Sequence, residues 1–186
     1  MAIGTLYLSE LRERMQQTKA LADRALAQLP DSQWHTALAP EGNSVAVIVQ
    51  HLAGNLLSRW DGLRQGYRAG VEGESPTRDR DAEFEDAQLA PADLLARWNA
   101  GWQVFLDALN HLRPEDLTQT LTIRGEIHTV LGALERAALH ASGHVYQIVL
   151  LVKTLRGADF QTLSIPRGGS AAYNAQMGQG GADKPS

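Results

Sequence analysis

Six histidines are the residues with the most chemistry to offer: His35, His51, His111, His128, His140 and His144. His140 and His144 stand four residues apart in a strongly apolar stretch. On a helix that spacing puts both imidazoles on one face, one turn apart, as two neighbouring ligands of one metal ion require. Ala141, Ser142 and Gly143 between them are small and leave room around the rings. A histidine in so apolar a helix needs a reason to be there. His51, in a second apolar segment, supplies a third imidazole. It lies ~12 Å along its helix, and His140 lies ~16 Å along its own, so the heights nearly match if the two helices run parallel. Three imidazoles on facing helices form an N₃ site with a coordination position open to water or substrate. The same residues could instead be core histidines bonded to backbone, and spacing leaves both readings open. His35, His111 and His128 fall in or beside loops, where exposure is expected.

Other chemistry is sparse. Asn55 and Arg59 follow His51 at i+4 and i+8, and Gln147 follows His144 at i+3. They orient a ligand or touch a substrate, or they are polar residues at the mouth of a bundle. The segment from Val71 to Pro91 carries seven acidic residues with Arg78 and Arg80. One of its carboxylates could be a ligand, although a solvated loop is the simpler expectation. No glycine-rich phosphate loop, HExxH or GxSxG occurs, and the His140 helix has no Glu-x-x-His, which disfavours a di-iron carboxylate site. The chain has no cysteine, which removes disulfides, thiolate ligands and cysteine nucleophiles together.

The elements that must carry these side chains are helical. Apolar residues recur with helical period from about Leu6 to Leu29, from Val45 toward Gly70, from Pro91 to Leu109 and from about Thr129 to Leu155. Asn43-Ser44 is an N-cap pair for the second helix, Pro91 sits in the first turn of the third, and Gly157 stops the fourth. Four long amphipathic helices without a long strand predict an all-α protein, a four-helix bundle with a long loop between helices 2 and 3. That loop, of about 20 residues, is longer than bundle connections usually are and is expected to be ordered. TLTIRGEIHTV alternates around Gly125 as a small hairpin would. Residues 1–174 read as one domain and 175–186 as a disordered, glycine-rich tail.

Net charge is −4 with 20% charged residues, and no stretch is strongly basic, which argues against a nucleic-acid partner. No apolar run is long enough to span a bilayer, and the N-terminus turns charged by Glu10 before an h-region can form. A cytoplasmic location is expected. Trp60, Trp98 and Trp102 fall on helices 2 and 3; if one small bundle cannot bury them all, they predict a homodimer through helix faces.

Four blocks in order, NSVAVIVQHLAGNLLSRW, GESPTRDRDAEFE, TIRGEIHTVLGALERAALHASGHVYQIVLLVK and LSIPRGGSAAYN, resemble the DinB-like (YfiT-like) metalloenzyme superfamily, in a branch of unknown function. The resemblance covers nearly the whole chain to about Asn174. It implies a four-helix bundle with a divalent metal, zinc or nickel, held by His51, His140 and His144. It also implies thiol-dependent transferase or isomerase chemistry on a small molecule, the metal activating a low-molecular-weight thiol. Metal-dependent hydrolysis and a non-catalytic metal site are the alternatives. Tyr146 departs from the pattern, where a small residue is expected, and would narrow the pocket or add a hydroxyl near the metal. Beyond helix 4, Gly168 and Gly169 can aim backbone amides at an anion beside Arg167. This strap and Arg59 are expected to form the pocket rim. Acid is expected to release the metal at roughly pH 6 to 6.5, as imidazoles protonate.

Overall fold

The computed structural model describes residues 2–180. Helix α1 spans Ile3–Leu26, α2 Val45–Trp60, α3 Pro91–His111, α4 Val130–Arg156 and α5 Ser170–Gly180. Strands β1 (Thr120–Ile123) and β2 (Glu126–Thr129) form a two-stranded antiparallel sheet between α3 and α4. The protein is therefore mostly helical. Among the described residues no helix is long and apolar enough to cross a membrane.

The boundaries follow from local chemistry. Ser44 Oγ accepts from Val47 N (3.2 Å) and Thr129 Oγ1 from Gly132 N (3.0 Å), so α2 and α4 each begin on a side-chain cap. Pro91 opens α3 at a position where its missing N–H costs nothing. α4 ends at Gly157, whose φ of +54° a side chain would resist. Arg124 and Gly125 both have positive φ (55° and 78°), which makes the hairpin a tight two-residue turn whose twist matches its strands. α2 stops at Trp60, well short of Gly70, and passes into the single turn Asp61–Leu63. α5 is an addition to the four helices read from periodicity. It has no apolar stripe, so helical period could not reveal it. It continues through the start of the stretch expected to be a tail, whose remainder, 181–186, lies outside the described residues.

α2 packs most extensively on α3, and α1 on α4, with further contacts of α2 on α4 and α1 on α3. The α2–α3 contact is close because Gly101 lacks a side chain: a Cβ there would stand 2.7 Å from the Ala53 carbonyl oxygen. The tryptophans correct one expectation. Trp60, Trp98 and Trp102 are at most 2% exposed. Trp60 packs on Phe105 with ring centroids 5.0 Å apart, and Trp98 meets Trp102 edge-on at 5.5 Å. The core takes all of them, so they provide no dimer face.

The long loop is tied down along its length. Gly73 N donates to Thr122 O and Thr122 N to Val71 O, which adds the loop's start to the edge of β1. Ser75 N donates to Ser58 Oγ (2.9 Å) on α2. Gln50 Nε2 reaches the carbonyls of Ala82, Glu83 and Glu85. His35 is half-buried rather than on the surface, its Nδ1 against Asp86 (2.9 Å) and its Nε2 against Leu89 O (3.1 Å). These bonds press the turn Ala82–Phe84 onto α2 beside His51.

Candidate metal centre

His51, His140 and His144 converge. His51 Nε2 lies 3.2 Å from His140 Nε2, and His144 Nε2 lies 3.2 Å from the same atom. The three ligand atoms fall within 4.8 Å of one another. Zinc holds imidazole nitrogens at roughly 2.0–2.1 Å, so two such ligands on a tetrahedral ion stand about 3.3 Å apart. The two separations to His140 match that spacing, and the third, between His51 and His144, is within 4.8 Å.

The protons point the same way. His51 Nδ1 faces Glu83 Oε2 at 2.9 Å, and a carboxylate only accepts, so Nδ1 carries the hydrogen and Nε2 presents a bare lone pair. His144 Nδ1 faces Gln147 Oε1 at 2.8 Å, with the same consequence for its Nε2. Two lone pairs are therefore aimed at His140 Nε2, which has one hydrogen at most. A cation satisfies all three nitrogens at once. None of the three Nε2 atoms meets a backbone acceptor among the described residues, so the reading as backbone-bonded core histidines does not describe them. Burial, then the neighbouring His144 and His51, push the His140 pKa down to about 4. Burial and His51 also lower that of His144. Neutral imidazoles at pH 7 are the metal-binding form.

Glu83 is the residue the sequence concealed. Burial acts to raise its pKa, but Arg78 and His51 outweigh it and hold the carboxyl below its ordinary value. Arg78 grips it with two bonds, Nε to Oε1 (2.8 Å) and Nη2 to Oε2 (2.7 Å), and spends Nη1 on Glu74 (2.8 Å). A carboxylate behind a ligating histidine fixes ring orientation and raises ligand basicity. Phe84 supports the same ring, with centroids 4.4 Å apart. One signal in the sequence pointed here: Gly54, inside a helix three residues after His51. A Cβ at Gly54 would stand 2.9 Å from Glu83 Cδ and overlap Oε1. A Gly54→Ala variant should therefore push Glu83 off His51 and weaken metal binding toward the roughly 10–100-fold loss typical of such supporting partners, although alanine is the better helix former. Chelator competition measures this, and an unchanged affinity would mean that Glu83 yields without consequence.

Beside the histidines opens a cavity of about 220 Å³, reached by His51 and His140. Trp60, Leu121, Ile123, Ala133 and Ala137 form its apolar wall, and Asn55 and Arg59 line it as their helical spacing predicts. Gln147 lies outside the cavity and acts on His144. Tyr146 is 64% exposed on the outer face of α4, so it neither narrows the pocket nor lends it a hydroxyl. Arg167 is exposed and absent from the cavity lining. No residue of its strap, Leu163 to Ser170, lines the cavity, so the strap does not form the rim. His111 is exposed at the end of α3, and His128 is half-buried on β2.

The model of a family described as "Protein of unknown function (DUF1572)" matches residues 2–169. No curated protein matches the chain.

Proposed function

The chain belongs to the DUF1572 family, and from its geometry we propose a divalent-metal-binding protein of the DinB-like type, a four-helix bundle that uses the metal to activate a small-molecule thiol for group transfer. The observation that carries this reading is the trio of Nε2 atoms, with two bare lone pairs, beside a cavity that His51 and His140 line. Zinc or nickel suits three imidazoles. When bound, such an ion acidifies a coordinated thiol or water.

The protein's own groups divide the remaining work. Glu83 holds the His51 proton on Nδ1, and Gln147 does the same for His144, so both rings keep their tautomer while a ligand exchanges. The apolar wall excludes water from one side of the cavity. Two features favour thiol activation over hydrolysis. No carboxylate lines the cavity among the described residues, and Glu74 and Glu83, which pair with its arginine Arg78, are occupied by that pairing. A metal-bound water would have no free carboxylate here to assist its deprotonation, whereas a thiol is far more acidic than water and ionises on a metal without such help. A purely structural site would be closed by a fourth protein ligand, and this one faces open space.

Cobalt substitution tests the reading. Cobalt-loaded protein titrated with low-molecular-weight thiols should develop a sulfur-to-cobalt charge-transfer band. Cobalt bound at the histidines with no response to any thiol would remove the thiol reading.

A further inference from the structure

The cavity's charge is the feature that thiol activation leaves unexplained. Five arginines line it, Arg59, Arg78, Arg80, Arg124 and Arg136, and they come from four parts of the chain: α2, the long loop, the hairpin turn and α4. In a protein of net charge −4, such a gathering is not a consequence of composition.

The five differ in what they have left to give. Arg78 spends three bonds on Glu83 and Glu74. Arg124 is bidentate on Glu74, with Nη2 at 2.9 Å. Arg59 is only partly engaged, through Gly73 O at 3.3 Å and a loose pairing with Glu74 at 3.6 Å, although its side chain is just 10% exposed. Glu74 thus serves three guanidiniums, and its pKa is held down to about 2, chiefly by the bond from Arg124. Arg80 lies over the Phe84 ring, and its only carboxylate partner among the described residues, the exposed Asp81, stands at 3.7 Å. Arg136 has no carboxylate within ion-pair distance among the described residues. It stands four residues before His140 on α4, on the same face and one turn away.

We propose that the cavity selects anionic ligands: a small molecule carrying a carboxylate or a similar oxyanion, with Arg136 as its principal contact and Arg59 and Arg80 beside it, and with its other end directed at the histidines. A guanidinium fork matches the planar geometry of a carboxylate; Arg136 and Arg80 are exposed at the mouth of the cavity and Arg59 is shielded within it. The proposal rests on the metal reading above only for the position of the ligand's far end.

The test uses the full-length cobalt-loaded protein, whose visible ligand-field spectrum first reports whether the histidines hold cobalt at all. Four thiols are then titrated: 2-mercaptoethanol, 3-mercaptopropionate, 2-mercaptoethanesulfonate and cysteamine. The two anionic thiols should bind at least about tenfold tighter than neutral 2-mercaptoethanol, and cationic cysteamine weakest. The order of carboxylate and sulfonate identifies the preferred oxyanion. Arg136→Gln should bring the anionic thiols to within about twofold of 2-mercaptoethanol while cobalt content stays unchanged, and Arg136→Lys should restore part of the preference. Equal affinity for neutral and anionic thiols, or a preference that survives Arg136→Gln, overturns the proposal. Should no thiol bind or no cobalt load, calorimetry with propionate and inorganic phosphate still decides. Binding lost in Arg136→Gln supports the anion site apart from the metal reading, and no binding of either anion to wild type overturns it.

Discussion

Wild type should purify with about one divalent metal ion per chain, and a His140→Ala variant should purify without it. His140 Nε2 is the atom both other ligands approach, at 3.2 Å each. Its removal leaves His51 and His144 with no shared neighbour. Structural zinc sites are worth about 10–16 kcal/mol over four ligands, so one ligand is worth about 3 kcal/mol, a loss of order 10²-fold in affinity. Metal analysis after gel filtration, with chelator competition for the remainder, measures it; equal metal content in wild type, His140→Ala and His144→Ala would remove the site. The pH dependence follows from the same residue. Only neutral imidazole binds, and the His140 pKa is lowered to about 4 by burial and its neighbours. Proton competition at this ligand therefore begins well below the ordinary histidine range, and metal should be retained through pH 6 and released as pH falls toward 4. This places release lower than unperturbed imidazoles predict. The sign for the metal-free fold is the same. Below pH 6.5 the unfolded chain takes up a proton that folded His140 refuses, so this residue's contribution to stability is present above 6.5 and is lost as pH falls to about 4.

Glu83→Gln should weaken metal binding by about 10–100-fold without removing a ligand. The amide fills the same space but carries no charge, so it neither raises the basicity of His51 nor holds the Nδ1 proton as strongly. It also leaves Arg78, whose side chain is 5% exposed, with Glu74 as its remaining carboxylate. Breaking a buried ion pair from one side commonly costs about 3–5 kcal/mol, and the surviving bond to Glu74 should keep this loss at the lower end. The two effects separate experimentally: thermal melting of metal-free protein reads the Arg78 pairing, and chelator competition reads the His51 support. Wild-type metal affinity in a variant with a lowered melting temperature would make Glu83 a structural clamp only.

Glu83 also explains why the long loop is ordered. Its seven acidic residues read as a solvated connection, and most are exposed as that reading expects. Glu74 and Asp86 are half-buried, and the one fully buried, Glu83, sits on the turn Ala82–Phe84, which Gln50 and His35 hold in place from either side. Metal support and loop order are thus one arrangement. A change at Gln50 or His35 should be felt at His51, although neither residue touches the three ligand nitrogens.

The sequence by itself determined what is local. Ser44, Pro91, Thr129 and Gly157 mark helix ends because capping and backbone freedom act within a few residues of the chain. The period of 3.6 places His140 and His144 on one face of α4 and Asn55 and Arg59 one and two turns beyond His51, wherever those helices go. Arg124-Gly125 specifies its own turn. The tertiary structure decided everything that depends on which surfaces meet. His51 reaches His140 across 89 residues of chain only because α2 and α4 pack at matching heights. Glu83 became a histidine partner because Gly54 left space on α2. Arg136, one turn before His140 on α4, lines the cavity where Arg167 had been expected, because the helix that carries the ligands also carries it. The tryptophans went inward because α2 and α3 approach closely enough at Gly101 to enclose them. Burial, ion pairing and metal geometry arise between segments distant in sequence, and neither periodicity nor composition encodes which segments those are.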